Sequence, residues 1–387
     1  MRLNFLTCCE INLDSIIYNL KWIKRKVGKN VKICFAGTKA DGYGYGILEV
    51  ALAGVEAGVD YFGVAVPDEG IYLRKNGITK PILVFGHILP ELAEKIVDYD
   101  LTQTVSTIDL CKRISYYAKK KKKIAKVHVK VDTGMGRIGV FPEDAINFIK
   151  EVSKLPNIYI EGIYTHLSSV GRDDEFTEKQ IEKFFYVLKL LEKENIKIPI
   201  KHMANSAAIK RYPETYLDMV RPGSIIFNAD FPGLKDVFSL KSKVVYVKNV
   251  PKGYRIGYRG CYITKKETKI ATVALGYVDG FPFFLGNEKW KVIIENKYFP
   301  VVGRVCMDQI MVDVGDEDVK IGDEVIIVGK SKNCEIKLVD IFKEVDFYNF
   351  LAPSINKRVP RVYIKDGKIY KIKTIMGVEY ERNRNKR

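Results

Sequence analysis

The chain has 387 residues, of which 47% are hydrophobic, and a formal net charge of +17 at pH 7. That length suggests two domains, and the apolar fraction supplies substantial cores, so disorder is expected only near the ends. No apolar run approaches the roughly 18 residues of a membrane-spanning helix, and the seven cysteines include no CxxC pair, so neither a membrane, a zinc site nor a disulfide framework is expected.

Residues 1–7 lack the apolar stretch of a signal peptide, which points to a reducing cytoplasm. Residues 13–27 then read as an amphipathic helix, with Ile16, Ile17, Leu20, Ile23 and Val27 at helical spacing. Short apolar runs recur at residues 31–36, 61–66, 81–85, 101–105, 126–131, 159–164, 200–203 and 217–220. Helix-like stretches at 47–57, 91–97, 108–118, 145–152 and 178–192 separate most of them. Eight strands alternating with helices over this span predict a closed parallel (β/α)8 barrel of the TIM type; a doubly wound sheet is the competing arrangement. The basic run Lys119 to Lys123 follows the 108–118 stretch as a cationic helix end, favourable for the backbone dipole. Together with the tail from Arg382 to Arg387 it is the only concentrated charge, and no nucleic-acid-binding motif accompanies either, so no nucleic-acid partner is expected.

Beyond Asp236 the texture changes to β-branched runs separated by Gly, Asn and Asp, at 243–247, 269–275, 291–295, 311–314, 324–328 and 362–365. Asp366-Gly367, between residues 362–365 and a further run at 368–372, is a hairpin signal, and only 336–351 looks helical. This predicts a mostly antiparallel β domain over 237–387, joined by a strand from residues 1–11, with the barrel over 12–236.

The residues that carry chemistry fall just after the barrel strands, where barrels place their active sites. Lys39 ends the first run and is followed by Ala40-Asp41-Gly42-Tyr43-Gly44-Tyr45-Gly46. The glycines let backbone and ligand come close, and Tyr43 offers a hydroxyl to a phosphate. A primary amine held this way suits a Schiff base with an aldehyde cofactor, of which pyridoxal 5'-phosphate is the usual one. One lysine among 64 Lys and Arg is ordinarily a solvated charge, so the weight rests on the later strand ends. Arg137, in Asp132-Thr133-Gly134-Met135-Gly136-Arg137 after the fifth strand, has a fixed fork suited to a substrate carboxylate or the cofactor phenolate. His166 closes the sixth strand, where a flat imidazole can lie against a pyridine ring, although a lone His at a strand end is ordinarily structural. Ser206 stands at an expected helix start suited to phosphate, and Gly223 and Ser224 offer backbone N–H groups to the same phosphate. Arg221 cannot accept a proton. Beside the pyridine nitrogen it would keep the ring neutral and weaken its electron pull, which suits an enzyme that only exchanges an α-proton.

Racemisation needs an acid or base on each face of a planar α-carbon. Lys39 serves one face; Tyr258, in Arg255-Ile256-Gly257-Tyr258-Arg259-Gly260, serves the other if cationic neighbours lower its pKa from about 10. Alone among 23 tyrosines, Tyr258 carries no such meaning; its place in the ordered set does. Gly303-Arg304-Val305-Cys306-Met307-Asp308-Gln309 completes that set.

In this order the motifs closely resemble those of alanine racemases, nearly end to end, from Glu10-Ile11-Asn12-Leu13-Asp14 to Arg358-Val359-Pro360-Arg361. The resemblance implies an amino-acid racemase that interconverts L-alanine and D-alanine by two-base proton transfer on pyridoxal phosphate, supplying D-alanine for peptidoglycan. It implies a head-to-tail homodimer whose active sites each take Lys39 from one chain and Tyr258 and Met307 from the other. Lys39 then works on the D-alanine proton and Tyr258 on the L-alanine proton. Arg137 and Met307 fall at substrate contacts, and Tyr43, Ser206, Gly223 and Ser224 at phosphate contacts. Lys130 matches a lysine that some members carbamylate. Three positions depart from the pattern. Tyr45 replaces a histidine, and Phe227-Asn228-Ala229 replaces an aromatic followed by glycine. Lys357 replaces a tyrosine that bonds the phosphate and lines the side-chain pocket. Lysine can still pair with phosphate, so Lys357 is a cofactor-binding candidate, but the changed wall opens the scope toward serine. Two competing readings are a non-catalytic pyridoxal-phosphate-binding barrel, opposed by the second domain, and a decarboxylase on the same plan, opposed by Arg221.

Overall fold

In the computed structural model, which describes residues 5–228, 231–345 and 351–381, the regular apolar spacing near the N-terminus produces a helix over Leu13–Val27. Ile16, Ile17, Leu20, Ile23 and Val27 are all buried, and Lys24, Arg25 and Lys26 sit at its C-terminal end, where the backbone dipole favours cations. Leu20 is 1% exposed, so Leu20→Ala is expected to cost about 2–5 kcal/mol, read as a lowered thermal midpoint. The chain falls into two compact units: Ile16–Lys235, and Met1–Ser15 together with Asp236–Arg387. Ala229 and the basic tail from Arg382 lie outside the described residues, as do residues 346–350 of the expected 336–351 helix.

After β1 (Cys8–Asn12), eight short strands follow: β2 (Lys32–Phe35), β3 (Tyr61–Val64), β4 (Ile82–Val84), β5 (Thr102–Val105), β6 (Ala125–Lys130), β7 (Ile158–Tyr164), β8 (Ile200–His202) and β9 (Met219–Val220). They pair in parallel in the order β8-β7-β6-β5-β4-β3-β2-β9. The ends meet where Asn205 bridges Arg221 and Asp218 N–H donates to Lys201 O at 3.0 Å, so the sheet closes into the expected barrel rather than a doubly wound sheet. Helices cover its outer face while side chains fill its interior. That is why Phe62, Val84, Val105 and Val129 are fully buried and the strands read as near-continuous apolar runs. One helix, Pro67–Lys75, was not expected from the sequence. It buries only Pro67, Gly70 and Leu73, too sparse a stripe to show as periodicity.

The second unit is built on β10 (Phe238–Val250), followed by the short pair β11 (Arg255–Ile256) and β12 (Tyr262–Ile263) and by β13 (Thr268–Val273), β14 (Lys291–Ile294), β15 (Lys297–Val302), β16 (Ile310–Gly315), β17 (Glu324–Lys330) and β18 (Glu335–Ile336). Antiparallel pairing runs β17-β14-β15-β16-β13-β10, and a further β10–β17 pairing closes these six into a second, smaller barrel. Helices over Leu338–Val345 and Leu351–Ser354 then lead to β19 (Arg361–Lys365), β20 (Lys368–Thr374) and β21 (Gly377–Glu381). β1 lies between β10, to which it is antiparallel, and β19, to which it is parallel. Asp366 and Gly367 have φ of +52° and +64°, the left-handed pair that a two-residue hairpin needs. β15 escapes a sequence reading because Pro300 sits inside it and proline ordinarily demotes a run from strand status. Among the described residues no helix is long and apolar enough to cross a membrane, no acidic, Cys or His cluster could hold a metal ion, and the seven cysteines are free thiols.

Candidate active site

The turn after β2 is wound left-handed. Ala40, Asp41 and Tyr43 all have φ between +52° and +56°, a region that costs non-glycine residues about 1–3 kcal/mol each. Local bonds hold it there. Gly44 and Gly46 N–H donate to the Ala40 and Asp41 carbonyls at 3.0 and 2.8 Å, and Ile47 N–H donates to Asp41 Oδ1 at 3.0 Å. Glu69, on the unexpected helix, accepts from Ala40 N–H at 2.6 Å and from Ala65 N–H at 2.7 Å, tying the turn to the end of β3. Under the turn, the Phe227 ring meets those of Tyr43, Tyr45 and Phe35 with centroids 5.4, 4.6 and 6.2 Å away. Tyr45, one of the family departures, is thus a buried packing residue.

Lys39 opens from this turn into a cavity of about 250 Å³ at the C-terminal end of the strands. The structure brings Tyr43, Arg137, His166, Ser206, Arg221, Gly223 and Ser224 to the same cavity, together with Lys130 and Tyr164. Burial lowers the Lys39 pKa, and the Arg137 charge lowers it further, so the neutral amine needed to attack a carbonyl is more populated than in water. Lys130 is lowered further still, by burial and then by Arg221 and Arg137. His166 is pushed well below its ordinary range by burial and the surrounding cations, so its imidazole is neutral.

One end of the cavity is a cradle for an anion. Asn205 caps the helix Ser206–Arg211 by accepting from Ala207 and Ala208 N–H, both at 3.1 Å. That leaves the Ser206 hydroxyl free to turn toward Gly223, whose N–H it accepts at 2.9 Å. A Cβ on Gly223 would lie 2.9 Å from the Tyr43 hydroxyl oxygen, so only glycine leaves this corner open. Hydroxyls, backbone N–H groups and the Arg137 and Arg221 cations converge on a small volume beside a buried amine. This donor set fits pyridoxal phosphate, which needs an amine for its aldehyde and donors for its phosphate.

Arg221 is buried, and burial lowers its pKa to about 10. It donates to His202 Nδ1 at 2.8 Å and to the carbonyls of Thr165 and Met203 at 2.8 and 3.0 Å. Tyr164 forms a platform beside it: its ring stacks on His202 (4.6 Å between centroids, 6° between planes), its hydroxyl meets Thr104 Oγ1 at 2.8 Å, and Lys130 Nζ lies 4.6 Å from its centre. Tyr164, His202, Asn205 and Glu69 are site residues that sequence reasoning missed. His202 and Asn205 lie within four residues of Ser206 in the sequence, which is the one signal that could have found them; the other two carry no local signal.

In the other unit, Tyr258 and Met307 line one shallow cleft with Gly257, Cys306 and Asp308, and are 67% and 51% exposed. The Met307 loop is fixed by Tyr277 and Val278 N–H, donating to the Cys306 and Met307 carbonyls at 3.0 and 3.1 Å. Arg358 reinforces it, bridging Asp279 at 2.6 Å and Asp308 at 2.7 Å. Lys357, next to that arginine, is exposed and lines neither cavity.

Comparison with known proteins matches this architecture along most of its length. Residues 11–230 match the family model for the alanine racemase N-terminal domain, and residues 237–363 the model for the C-terminal domain. Alanine racemase 1 of Caldanaerobacter subterraneus subsp. tengcongensis is 43% identical over 373 residues, covering 93% of this chain and 95% of that one. The solved alanine racemase of Clostridium difficile 630 superposes with a TM-score of 0.88 at 39% identity, over 96% of this chain and 99% of the other. A histidine racemase of Leuconostoc mesenteroides subsp. sake has the same fold at 27% identity, with a TM-score of 0.82 over 94% and 99% of the two chains. With both family models matched in order and near-complete coverage of its relatives, the chain belongs to the alanine racemase family.

Proposed function

We propose that the protein is a pyridoxal-phosphate-dependent racemase interconverting L- and D-alanine, and that its D-alanine feeds peptidoglycan synthesis. The observation that carries this reading is the convergence of the depressed Lys39 amine with an anion cradle and a buried arginine in one barrel cavity, in a chain 43% identical to an alanine racemase over 373 residues. The cofactor, when bound, supplies an electron-withdrawing ring that acidifies the substrate α-hydrogen. Lys39 would hold its aldehyde, and its amine would move the substrate α-proton on the D-alanine side. Tyr43, Ser206, Gly223 and Ser224 would hold the phosphate, and His166 would lie against the ring. Arg221, a donor that cannot accept a proton, leaves the ring nitrogen unprotonated and so limits charge build-up. That restraint favours return of a proton to the α-carbon over side reactions. Arg137 orients the substrate carboxylate.

A second proton-transfer group on the opposite side comes from Tyr258, with Met307 beside it, supplied by a second copy in a homodimer with shared sites. Support for this lies in their exposure: a phenol and a thioether open to solvent in one chain become useful once a partner covers them. Polarimetry with L-alanine on the cofactor-loaded protein tests the whole reading. No change in rotation, with pyridoxal phosphate demonstrably bound, would overturn alanine racemisation.

Lys357 favours a broader scope that includes serine. Lys357 is exposed and lines neither cavity in one chain, so this reading needs its ammonium to swing to the rim of the assembled site, where it would fill a pocket wall less rigidly than an aromatic ring. One added hydroxyl is worth only about 1–3 kcal/mol in such a pocket, so the preference shifts rather than switches. Lys357→Tyr is expected to raise the alanine-to-serine ratio of kcat/KM. An unchanged or lowered ratio would place Lys357 away from the substrate.

A further inference from the structure

Beneath the cavity, buried polar side chains that no step above uses lead from Arg221 across the barrel interior. Arg221 Nη1 meets His202 Nδ1 at 2.8 Å, His202 Nε2 meets His128 Nδ1 at 2.9 Å, and His128 Nε2 meets Glu161 Oε2 at 3.4 Å. Arg221, His202, His128 and Glu161 are each 7% exposed or less. Glu161 then meets Lys126 Nζ at 3.2 Å, and the Lys126 side chain is 44% exposed. Lys126 precedes the cavity residue Lys130 by four positions on β6, roughly 13 Å along a strand, so the chain of contacts runs from the cavity toward the opposite mouth of the barrel.

Two backbone features make room for it. Between β6 and β7 the register pairs Val127 with Ile160 but His128 with Gly162, so Glu161 is the extra residue of a bulge, a device that re-aims a side chain. At Gly162 an added Cβ would lie 2.5 Å from the His128 ring, so the missing side chain is the space that the imidazole occupies.

The donor and acceptor inventory gives this chain a direction. Arginine only donates, so His202 Nδ1 accepts and its proton lies on Nε2. That N–H donates to His128 Nδ1, which places the second proton on His128 Nε2, facing a carboxylate that only accepts. We propose that Arg221, His202, His128 and Glu161 form a one-way hydrogen-bond relay that locks both imidazoles as neutral Nε2–H tautomers. His128 and Glu161 are then positioning residues for the Arg221 guanidinium, although neither lines the cavity. Protonating either imidazole would set N–H against N–H within the chain. Burial opposes that charge too, lowering the pKa of both histidines, with Arg221 and Lys130 adding to the effect at His202. Burial also works against ionising Glu161, but the His128 contact and the Lys126 charge outweigh it, and its pKa lies below the ordinary value. Also packed against the relay are Tyr164, stacked on His202, Tyr61, beside Glu161, and the buried Cys34 thiol, which faces Arg221. No carboxylate among the described residues contacts Arg221, so Glu161, two imidazoles away, is the anion that terminates its hydrogen bonding.

The consequence for catalysis rests on the racemase reading; the tautomers do not, so the two can fail separately. The chain has four histidines, so 15N-histidine labelling of the full-length, cofactor-loaded protein yields few signals to assign. His128 and His202 are expected to show one protonated nitrogen each, Nε2, with no titration between about pH 5 and 8. An Nδ1–H tautomer or a doubly protonated ring at either position overturns the relay. Glu161→Gln keeps an acceptor and should leave both tautomers and kcat close to wild type. Glu161→Leu removes it and should split or broaden the His128 and His202 signals. It should also lower kcat on the order of 10- to 100-fold through a misplaced arginine, with alanine KM unchanged. Equal losses in the Gln and Leu variants, or split signals without a kcat effect, would refute the positioning role. If Glu161→Leu does not fold, the wild-type spectrum and the Gln variant still decide the matter.

Discussion

Lys39→Ala is expected to remove the visible absorbance of lysine-held pyridoxal phosphate and to lower alanine racemisation on the order of 10⁴-fold, the upper range for losing a positioned acid–base group. On the proposed reading two roles are lost at once, the covalent anchor and the proton carrier on one face. The left-handed turn explains why neighbouring residues cannot replace it: Ala40, Asp41 and Tyr43 are held at positive φ by bonds from Gly44, Gly46, Ile47 and Glu69, which fix the direction in which Lys39 leaves the backbone. The structure also names the one rival. Lys130 lines the same cavity, and its pKa is depressed even further. Its amine, however, lies over the Tyr164 ring at 4.6 Å, an engagement suited to a side chain that orients rather than reacts. Absorbance spectra of Lys39→Ala and of Lys39→Ala with Lys130→Ala separate the two. A band that survives the first change and disappears in the second would assign the anchor to Lys130.

Tyr258→Phe is the other large effect. Removing one hydroxyl from a side chain that is 67% exposed leaves fold and cofactor intact, while conversion between enantiomers should fall about 10²- to 10⁴-fold. The loss should be lopsided. In heavy water, D-alanine should still exchange its α-hydrogen through Lys39, with little L-alanine appearing. Near-normal conversion in both directions would place the second base elsewhere. Mixing inactive Lys39→Ala and Tyr258→Phe chains should restore part of the activity through hybrid dimers that carry one intact site. No recovery after verified subunit exchange would argue that each site is built from a single chain.

Much of this protein is written in its sequence because burial leaves a mark on each residue independently. A parallel barrel strand is enclosed on both faces, so Ile82-Leu83-Val84 or Val127-His128-Val129 announces itself without reference to a partner. The helix at Leu13–Val27 and the Asp366-Gly367 hairpin are equally local, each specified within a single element. Likewise, eight residues now found around one cavity could be named in advance because barrel chemistry follows strand ends, a position readable from the strands alone. What the sequence left open depends on partners distant in the chain. The short helix Pro67–Lys75 has little apolar stripe of its own, yet it supplies the Glu69 that fixes the Lys39 turn from 29 residues away. β15 forms despite Pro300 because two neighbouring strands supply its pairing. His128 reads as one polar residue in an apolar strand. Only closure of the barrel sets it against His202, 74 residues on, and only the extra residue in β7 turns Glu161 inward to meet it. Hydrogen-bond direction and left-handed backbone are properties of pairs and turns already assembled. Residue type alone therefore singled out residues that share one cavity, and the tertiary structure decided how their charges and protons are held.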